Sequence, residues 1–553
     1  MISLLRKSFY GAALGLMTLS AVSCTDLDET LYDTLASETY EFTDADLAAT
    51  FAPVYSSLRS VYWDWYSYAD IMDQSSDVWC VPYRIGIGWG DLYVSLHKHE
   101  FNSEIAHFEE AWTRNYAGIS TINSLLANEA VAEDAESSAQ LRAYRALYYY
   151  ILLDLFRNIP LDTTYDHEDG WMPEQEDPET VFDFIESELL EVAEDCGETV
   201  EMGKLNKYAV YMILAKCYLN HNAWMDDYSD DSYYEKCIDA CNVVMEGPFE
   251  LASDYLDNFV EDISDSPEII FGIPFEIKYA AGNYMANMWM HTAGRATWDF
   301  NGWATGGAAV HPQFLDTYED GDNRFDDCWI YGQQYDSSGD PIYYDGEPLI
   351  YEKELHSIDN PGCYPFESYR LVKYEILSGD YGTYYDDVPF FRLADTYMMK
   401  AECLLRLGGY NGETEDDAAA LVTAVRERNF DDASDAVVTA AKLKGGSVYA
   451  YGHRENQGKQ DEDDVWVITT EGGDDIELGG MLDELAWEFV AEHHRRQDLV
   501  RFRINGSTAN VYNAKSWFCK DAISDPTNKD HDAFPIPQTA LDGNSNLVQN
   551  PGY

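Results

Sequence analysis

The sequence is poor in positive charge. Only 35 of its 553 residues are Lys or Arg, against 101 Asp or Glu, and the formal net charge at pH 7 is −66. So acidic a surface repels phosphate backbones, which excludes a nucleic-acid-binding function. It also argues, less strongly, against strongly anionic polysaccharides as ligands. Most of this charge is interpreted as a solvated coat that maintains solubility.

Long apolar runs and common catalytic motifs are also missing. Beyond the N-terminus, no segment has the roughly 18 consecutive apolar residues that a membrane-spanning helix needs. The sequence contains no GxSxG, HExxH or Walker phosphate-binding motif. His493 and His494 are adjacent, so one helix face cannot present both to a metal. A glycosidase stays open, because it needs only two carboxylates about 5–10 Å apart.

The cysteines do not follow a metal-binding pattern. The chain has 10 of them, with no CxxC motif and no Cys/His group at the spacing of zinc ligands. Most lie in apolar helical patterns, where a free Cys behaves as a small hydrophobe. One or two disulfides stay open, but a disulfide framework is not indicated. The acid-rich stretch 316–327 lacks EF-hand spacing, so a solvated turn is favoured over a calcium loop. We predict no metal site and no cofactor.

The first 23 residues have the layout of a secretory signal peptide. A basic start precedes an uncharged, mostly apolar stretch, residues 9–22, which ends at Ser23 and Cys24. Bacterial lipoproteins are cleaved and acylated at a Cys that follows small residues, so we predict lipid attachment at Cys24. Ordinary cleavage after Ser23, with a free thiol, is the alternative. The acidic residues 25–29 favour the lipoprotein, because they resemble the surface-export signal of Bacteroidetes lipoproteins.

The remaining chain shows helical periodicity in many segments. Apolar residues recur there every three to four positions, which is the spacing of one helix face. The predicted helices cover residues 44–62, 103–127, 137–157, 178–196, 206–220, 234–245, 391–407, 415–428 and 482–502. Several of them are joined by short turns into pairs that resemble tetratricopeptide units. The predicted fold is therefore all-α, a tetratricopeptide-like helical scaffold.

Long irregular stretches interrupt this scaffold. They are rich in Gly, Asp and Tyr and lie near residues 63–102, 278–388 and 440–480. Loops of this length in a folded domain are usually functional. Residues 24–40 are predicted to be an acidic tether, and residues 41–553 one helical domain that carries these loops as insertions.

Several segments match one protein family in the same order. The most specific match is the C-terminal end, where Phe534-Pro535-Ile536-Pro537-Gln538 is followed by Asn544, Asn546-Leu547 and Gln549-Asn550-Pro551-Gly552-Tyr553. The other matching segments are Trp112, Tyr116, Ile119 and Asn123, residues 141–150 with Pro160-Leu161, residues 207–220, residues 392–402 and residues 483–502. Together they resemble the SusD/RagB outer-membrane lipoproteins. The chain has His493 where that family usually has Gly.

The resemblance implies a function in nutrient uptake. SusD-like proteins are the glycan-binding partners of SusC-like TonB-dependent transporters, and the resemblance implies a lid on that barrel. We therefore expect a non-catalytic surface protein, lipid-anchored to the outer membrane through Cys24 and facing the exterior. The acidic surface favours a neutral glycan. A surface glycoside hydrolase with a helical fold and a lid for a peptide-type nutrient are the alternatives.

Two of the irregular stretches contain the residue types that a glycan site needs. Aromatic rings stack on the C–H face of a sugar, while carboxylates, amides and guanidinium groups bind its hydroxyls. The candidate ligand-contacting residues are Asp77, Trp79, Arg84, Trp89, Tyr93, Trp289, Trp298 and Trp303. None matches a fixed family motif, so a packing role is an equal alternative for each tryptophan. For Trp63 and Trp65, on or just past a predicted helix, packing is the favoured interpretation.

Overall fold

The structure is a computed structural model. It describes residues 44–85, 91–278, 280–359, 362–379, 384–452, 470–515 and 530–553. The chain divides into two units, residues 1–46 and residues 47–553, and the second contains nearly everything described below. The predicted signal peptide, Cys24 and the predicted tether at residues 24–40 lie outside the described residues.

The secondary structure is mainly helical, with short strands. The first elements are α1 (Asp44–Tyr62), α2 (Tyr68–Gln74), β1 (Trp79–Cys80), α3 (Asp91–His97), α4 (Ala106–Leu126), α5 (Glu129–Ala132), α6 (Ala135–Phe156), β2 (Ile159–Pro160), β3 (Gln175–Glu176) and α7 (Pro178–Val192). They are followed by α8 (Lys207–Met225), α9 (Ser232–Met245), β4 (Ile269–Ile273), α10 (Met285–Trp289), β5 (Ala309–Val310), α11 (Pro312–Leu315) and α12 (Arg324–Cys328).

The second half of the chain begins with hairpins and returns to helices. Its elements are β6 (Trp329–Ile330), β7 (Gly332–Gln333), β8 (Tyr343–Tyr344), β9 (Glu347–Pro348), β10 (Ile350–Tyr351), β11 (Arg370–Leu371), β12 (Val388–Arg392), α13 (Leu393–Leu407), α14 (Glu415–Arg426), α15 (Ala440–Leu443), β13 (Ser447–Tyr451), β14 (Glu471–Gly473), α16 (Gly479–Glu488), α17 (Arg495–Arg501), α18 (Val511–Ala514) and α19 (Gln538–Gly543). The short 3₁₀ segments are Tyr255–Asn258, Thr292–Trp298, Glu427–Asn429 and Asp530–Asp532.

The long helices pack in sequential pairs, as predicted. Helix α4 packs on α6 and α6 on α7, while α8, α9, α13 and α14 form a second chain of contacts. Local signals set their ends: the Asp134 side chain accepts a hydrogen bond from the Ser137 N–H at the start of α6, and Gly408, with φ 72°, closes α13. The predicted all-α scaffold of helix pairs is confirmed.

The strands of the described residues pair only two at a time, and every named ladder is antiparallel. Two ladders position later features. In the first, β1 pairs with β5, with Trp79 opposite Val310 and Cys80 opposite Ala309. In the second, β4 pairs with β12, which occupies Val388–Arg392, so the helix predicted from residue 391 begins only at Leu393.

The long helix predicted over residues 482–502 is wrong. The chain forms α16 and α17 instead, with an irregular break at residues 489–494. Ala491 has φ 58° and His493 has φ 66°, a left-handed conformation that interrupts an α-helix. Because the usual family residue at position 493 is Gly, which adopts positive φ without strain, the break explains that preference.

A network of buried charges fills the space beside this break. Glu488 accepts hydrogen bonds from Arg392 and Arg428 through Oε1, at 2.8 and 2.6 Å, and from Arg324 through Oε2, at 3.1 Å. Glu492 accepts two more from Arg392, at 2.7 and 2.8 Å. The helical spacing of Glu488, Glu492, Arg495, Asp498 and Arg501 predicts ion pairs along one helix, and Arg501 does pair with Asp498 at 2.7 Å. The structure instead joins Glu488 and Glu492 to arginines that are distant in sequence.

The network extends further on both sides. Glu492 also binds the Lys373 ammonium at 2.6 Å, and Glu268 bridges Arg392 and Arg428. Burial alone would raise the pKa of Glu488, but the charges of Arg428, Arg392 and Arg324 outweigh it and hold the pKa well below its ordinary value. The carboxylate therefore stays ionised in the core.

Glu488→Gln is expected to destabilise the protein by about 3–5 kcal/mol at pH 7, because three buried guanidinium groups lose a shared counter-charge. Urea denaturation measures the effect. Because the folded-state pKa is depressed, the contribution of Glu488 is present above about pH 4.3, the unfolded value, and is lost as the pH falls below it. The exposed Glu191, which pairs with Arg142 at the surface, is the control: Glu191→Gln should cost less than about 1 kcal/mol. Equal costs for both variants would contradict the role of the network.

Candidate functional site

Several predicted site residues are buried in the structure. The Asp77 carboxylate forms a two-point ion pair with Arg495, at 2.7 and 2.8 Å. Trp79 and Trp289 are fully buried, and their rings lie 5.0 Å apart. The Tyr93 hydroxyl donates to the Asp70 carboxylate at 3.1 Å. These side chains have no surface to offer a glycan.

Arg84 is buried as well, and its guanidinium binds backbone. It donates to the carbonyls of Gly307, Ala308 and Tyr364 at 2.8, 2.9 and 3.0 Å. The expectation of ligand contact is thus corrected for Asp77, Trp79, Arg84, Tyr93 and Trp289. All five belong to the framework that supports the loops, and residue type alone does not distinguish that role from binding.

The remaining predicted residues have different environments. Trp89 lies outside the described residues. Trp298 is half-buried and packs on a small cluster formed by Met290, Phe300, Ala304 and Tyr384. Trp303 is 59% exposed, and among the described tryptophans only Trp171, at 44%, is comparably open. Trp303 is therefore the predicted residue best placed to stack on a ligand.

Trp303 is the outer member of an aromatic platform that also contains Trp65 and Tyr284. The rings of Trp303 and Trp65 lie 6.0 Å apart with an interplanar angle of 53°, and Trp65 lies 5.0 Å from the ring of Tyr284. Trp65 is half-buried and Tyr284 is buried. Burial thus increases along the platform from Trp303 to Trp65 to Tyr284, so the exposed ring packs on rings that are held in the core.

The sequence favours a packing role for Trp65, because this residue follows a predicted helix. Helix α1 ends at Tyr62, and the next residues turn away from it. The turn is fixed by Arg114, which donates to the carbonyls of Ser60 and Trp65 at 3.0 Å each. Tyr66 follows with φ 62°. The sequence does not predict this turn, because the positive φ falls at a non-glycine residue one position past the tryptophan.

Asn283 connects the platform to the scaffold. Its side-chain oxygen accepts hydrogen bonds from the Trp63 indole at 2.8 Å and from the Met285 N–H at 3.1 Å. Its amide group donates to the Asp386 carbonyl at 3.0 Å. Since Tyr284 lies between the two anchored positions, this one amide fixes the core end of the platform.

The loop that carries Trp303 is held from both sides. Arg295 donates to the Gly302 carbonyl at 2.8 Å, and the Thr305 N–H donates to the Asn287 carbonyl at 2.9 Å. A Cβ atom at Gly302 would lie 1.9 Å from the ring of Phe300, so any larger residue would displace that buried ring. The loop is therefore ordered by its own backbone contacts, and Trp303 projects from a fixed base.

His493 lies behind the platform. Its Nδ1 is 2.8 Å from the Asp73 carboxylate, and its ring meets the edge of Trp63 at 4.5 Å. The side chain is fully enclosed between α1, α2 and the break before α17. The strain of a positive φ at this residue is thus offset by contacts that a glycine lacks.

An acidic group lies next to the Asn283 anchor. The carboxyl of Asp386 is buried, and one of its oxygens has no hydrogen-bond partner. Burial, together with the nearby charges of Glu375, Glu261 and Asp387, raises the pKa of Asp386 to about 8. Burial also raises the pKa of Asp387 to about 6. The carboxyls of Asp386 and Asp387 therefore take up protons near neutral pH.

Comparison with known proteins identifies the family. A model of the SusD family matches residues 215–553, more than half of the chain. The chain belongs to the SusD family. This SusD-family protein is 24% identical over 462 residues to the starch-binding protein SusD of Bacteroides thetaiotaomicron, covering 76% of this chain and 74% of that one. It is 23% identical over 580 residues to SusD-like protein P25 of Formosa agariphila, covering 97% of each.

Solved structures share the fold. A laminarin-binding SusD-like protein superposes with a TM-score of 0.65 at 21% identity, covering 93% of this chain and all of the other. Surface glycan-binding protein A of Bacteroides uniformis gives 0.64 at 18% identity, with 92% and 99% covered. In the described part of this SusD-family protein, no helix is both long enough and apolar enough to cross a bilayer.

Asp386→Asn is expected to make stability less dependent on pH. Between about pH 4 and pH 8 the folded protein keeps a proton on Asp386 that the unfolded chain releases, so this group makes the wild type less stable as the pH rises. Asparagine keeps the neutral shape without titrating. The stability gained by the variant should therefore grow from pH 5 to pH 8, by at most about 1.4 kcal/mol per pH unit.

Thermal and urea unfolding at several pH values measure this gain. The exposed Asp265 provides the control, and Asp265→Asn should give a difference that changes little with pH. A gain in Asp386→Asn that stays constant from pH 5 to pH 8 would show that the carboxyl is already ionised in the folded state.

Proposed function

We propose that this chain is a cell-surface glycan-binding lipoprotein that captures an oligosaccharide and delivers it to a SusC-like TonB-dependent transporter. The observation that carries the proposal is the exposed ring of Trp303 on a supported aromatic platform. Stacking of a sugar ring on a surface that is already ordered costs little conformational entropy, because few side-chain rotamers are fixed on binding. The platform is thus suited to a rigid, weakly polar ring face.

The family supports a glycan as the ligand. One relative is named for starch binding and one structural neighbour for laminarin binding. Both polymers are neutral glucans, and the net charge of −66 on this chain disfavours sulfated or uronic polymers. A neutral polysaccharide is therefore the proposed ligand class.

Binding without turnover is part of the proposal. Near the platform, the Asp64 carboxylate lies 3.6 Å from the guanidinium of Arg114, which also holds the backbone of the turn. The ion pair gives Asp64 a structural role in this turn, while burial raises the pKa of its carboxyl above the ordinary value. Family members work as binding proteins beside a transporter, which agrees with a non-catalytic role.

Trp303→Ala is expected to weaken binding of a neutral polysaccharide by about 1–3 kcal/mol, or roughly 5- to 150-fold in Kd. Trp65→Ala should weaken it as well, because Trp303 loses its supporting ring. Affinity electrophoresis and calorimetry against starch, laminarin, alginate and chondroitin sulfate measure both affinity and ligand class.

Trp171→Ala is the matched control. Trp171 is also exposed, but its ring stacks on His167 at 3.6 Å, away from the platform residues in the contacts that the structure gives. Its removal should leave the affinity unchanged. Unchanged affinity in Trp303→Ala would show that the platform is not the binding site. New reducing ends during incubation, abolished by one carboxylate substitution, would favour the glycoside hydrolase instead.

Lipid attachment and the transporter partnership rest on the N-terminal sequence and on the family. Cys24→Ser is expected to abolish acylation, so the protein should leave the membrane fraction and become resistant to protease added to intact cells. Cell fractionation and labelling with a lipid analogue measure this. A variant that stays membrane-bound at the wild-type level would contradict the anchor at Cys24.

A further inference from the structure

A cysteine and two histidines converge in the core beside the β1–β5 ladder and the end of α3. The thiol of Cys80 and one ring nitrogen each of His97 and His311 all lie within 4.8 Å of one another, and all three residues are buried. The sequence spacing hides this group, because the residues lie in three separate elements. It plays no part in the platform described above.

Ordered backbone brings the three side chains together. Cys80 ends β1 and pairs with Ala309 of β5, two residues before His311. The His311 N–H donates to the Val78 carbonyl at 2.9 Å, which continues the same ladder. His97 is the last residue of α3, and its ring stacks on that of His311 with centroids 4.7 Å apart. The donors are therefore held by secondary structure.

The donor set has the chemistry of a zinc site. One thiolate and two imidazoles are typical ligands of Zn²⁺, at about 2.3 Å for sulfur and 2.0–2.1 Å for nitrogen. In a tetrahedron with these bond lengths the donor atoms lie roughly 3.5 Å apart. A metal lies in the plane of each imidazole that binds it, so one of the two stacked histidine rings has to rotate out of the stack when Zn²⁺ binds. Oxygen ligands, which calcium and magnesium prefer, are absent from the three donors.

Metal binding requires a deprotonated thiol at Cys80 and one unprotonated nitrogen on each imidazole. A bound Zn²⁺ displaces the thiol proton, and the resulting thiolate neutralises one of the two metal charges.

We propose that Cys80, His97 and His311 form a structural Zn²⁺ site. The metal joins α3 to the β1–β5 ladder, from which the loop carrying Trp303 emerges. Three protein ligands leave the fourth position to water or to the Cys363 thiol, which packs in the same small cluster as Cys80. A metal bound only to the folded state stabilises it.

Cobalt is the probe that separates this site from the acidic surface. Co²⁺ bound to a thiolate in a tetrahedral site gives a sulfur-to-metal charge-transfer band in the near ultraviolet and strong visible bands. Co²⁺ held by surface carboxylates gives neither. Titration of the purified, metal-free protein in 0.15 M NaCl with excess Ca²⁺ should show both features saturating at one Co²⁺ per chain. Added Zn²⁺ should displace them, and Zn²⁺ should raise the melting temperature.

Cys80→Ala is expected to abolish the charge-transfer band, and His97→Gln to weaken Zn²⁺ binding at least tenfold. Cys217→Ala is the control, since Cys217 is equally buried in α8 and should leave the spectrum unchanged. Circular dichroism confirms that each variant is folded. The proposal is overturned if the folded wild type gives no charge-transfer band, or if the band survives in Cys80→Ala.

Discussion

The buried contact between Glu488 and its three arginines is the constraint on which the rest of the fold depends. Glu488 ends α16, while Arg392, Arg428 and Arg324 come from a strand, a 3₁₀ segment and a short helix far away in sequence. Ionised groups in the core are costly unless every partner is present, so the network is satisfied only in one relative arrangement of these elements. The arrangement of the helical scaffold is therefore fixed by charge as well as by apolar packing.

This network also shows where sequence reasoning succeeds and where it fails. Helices such as α6 and α8 are predictable, because their apolar spacing and their Asp and Asn caps act within a few residues. The break between α16 and α17 is not, because the residues of this segment keep a helical pattern. Glu492 instead turns toward Arg392 and Lys373, and tertiary ion pairing overrides local propensity.

The loops of the candidate site could be predicted from the sequence, but its exposed ring only in part. Both loops named from the sequence do form the platform and its support, yet Trp79 and Trp289 are core residues and Trp303 is exposed. All three are tryptophans in predicted irregular stretches, so only the tertiary packing distinguishes them. The sequence favours packing for Trp65, and the structure adds that the turn fixed by Arg114 packs it against the exposed Trp303.

A common principle connects the platform with its base. An exposed aromatic ring attracts other apolar surfaces, so it is specific only if its orientation is fixed from behind. Here Asn283 fixes the core end, Arg84 binds the carbonyls that follow the Trp303 loop, and His493 fills the space behind Trp63. Asn283 and Arg84 bind backbone and indole groups of the loops, while His493 lies against the Asp73 carboxylate and the Trp63 ring. Substitution of the exposed rings can therefore change which ligand binds, while the buried polar groups keep the loops in the same position.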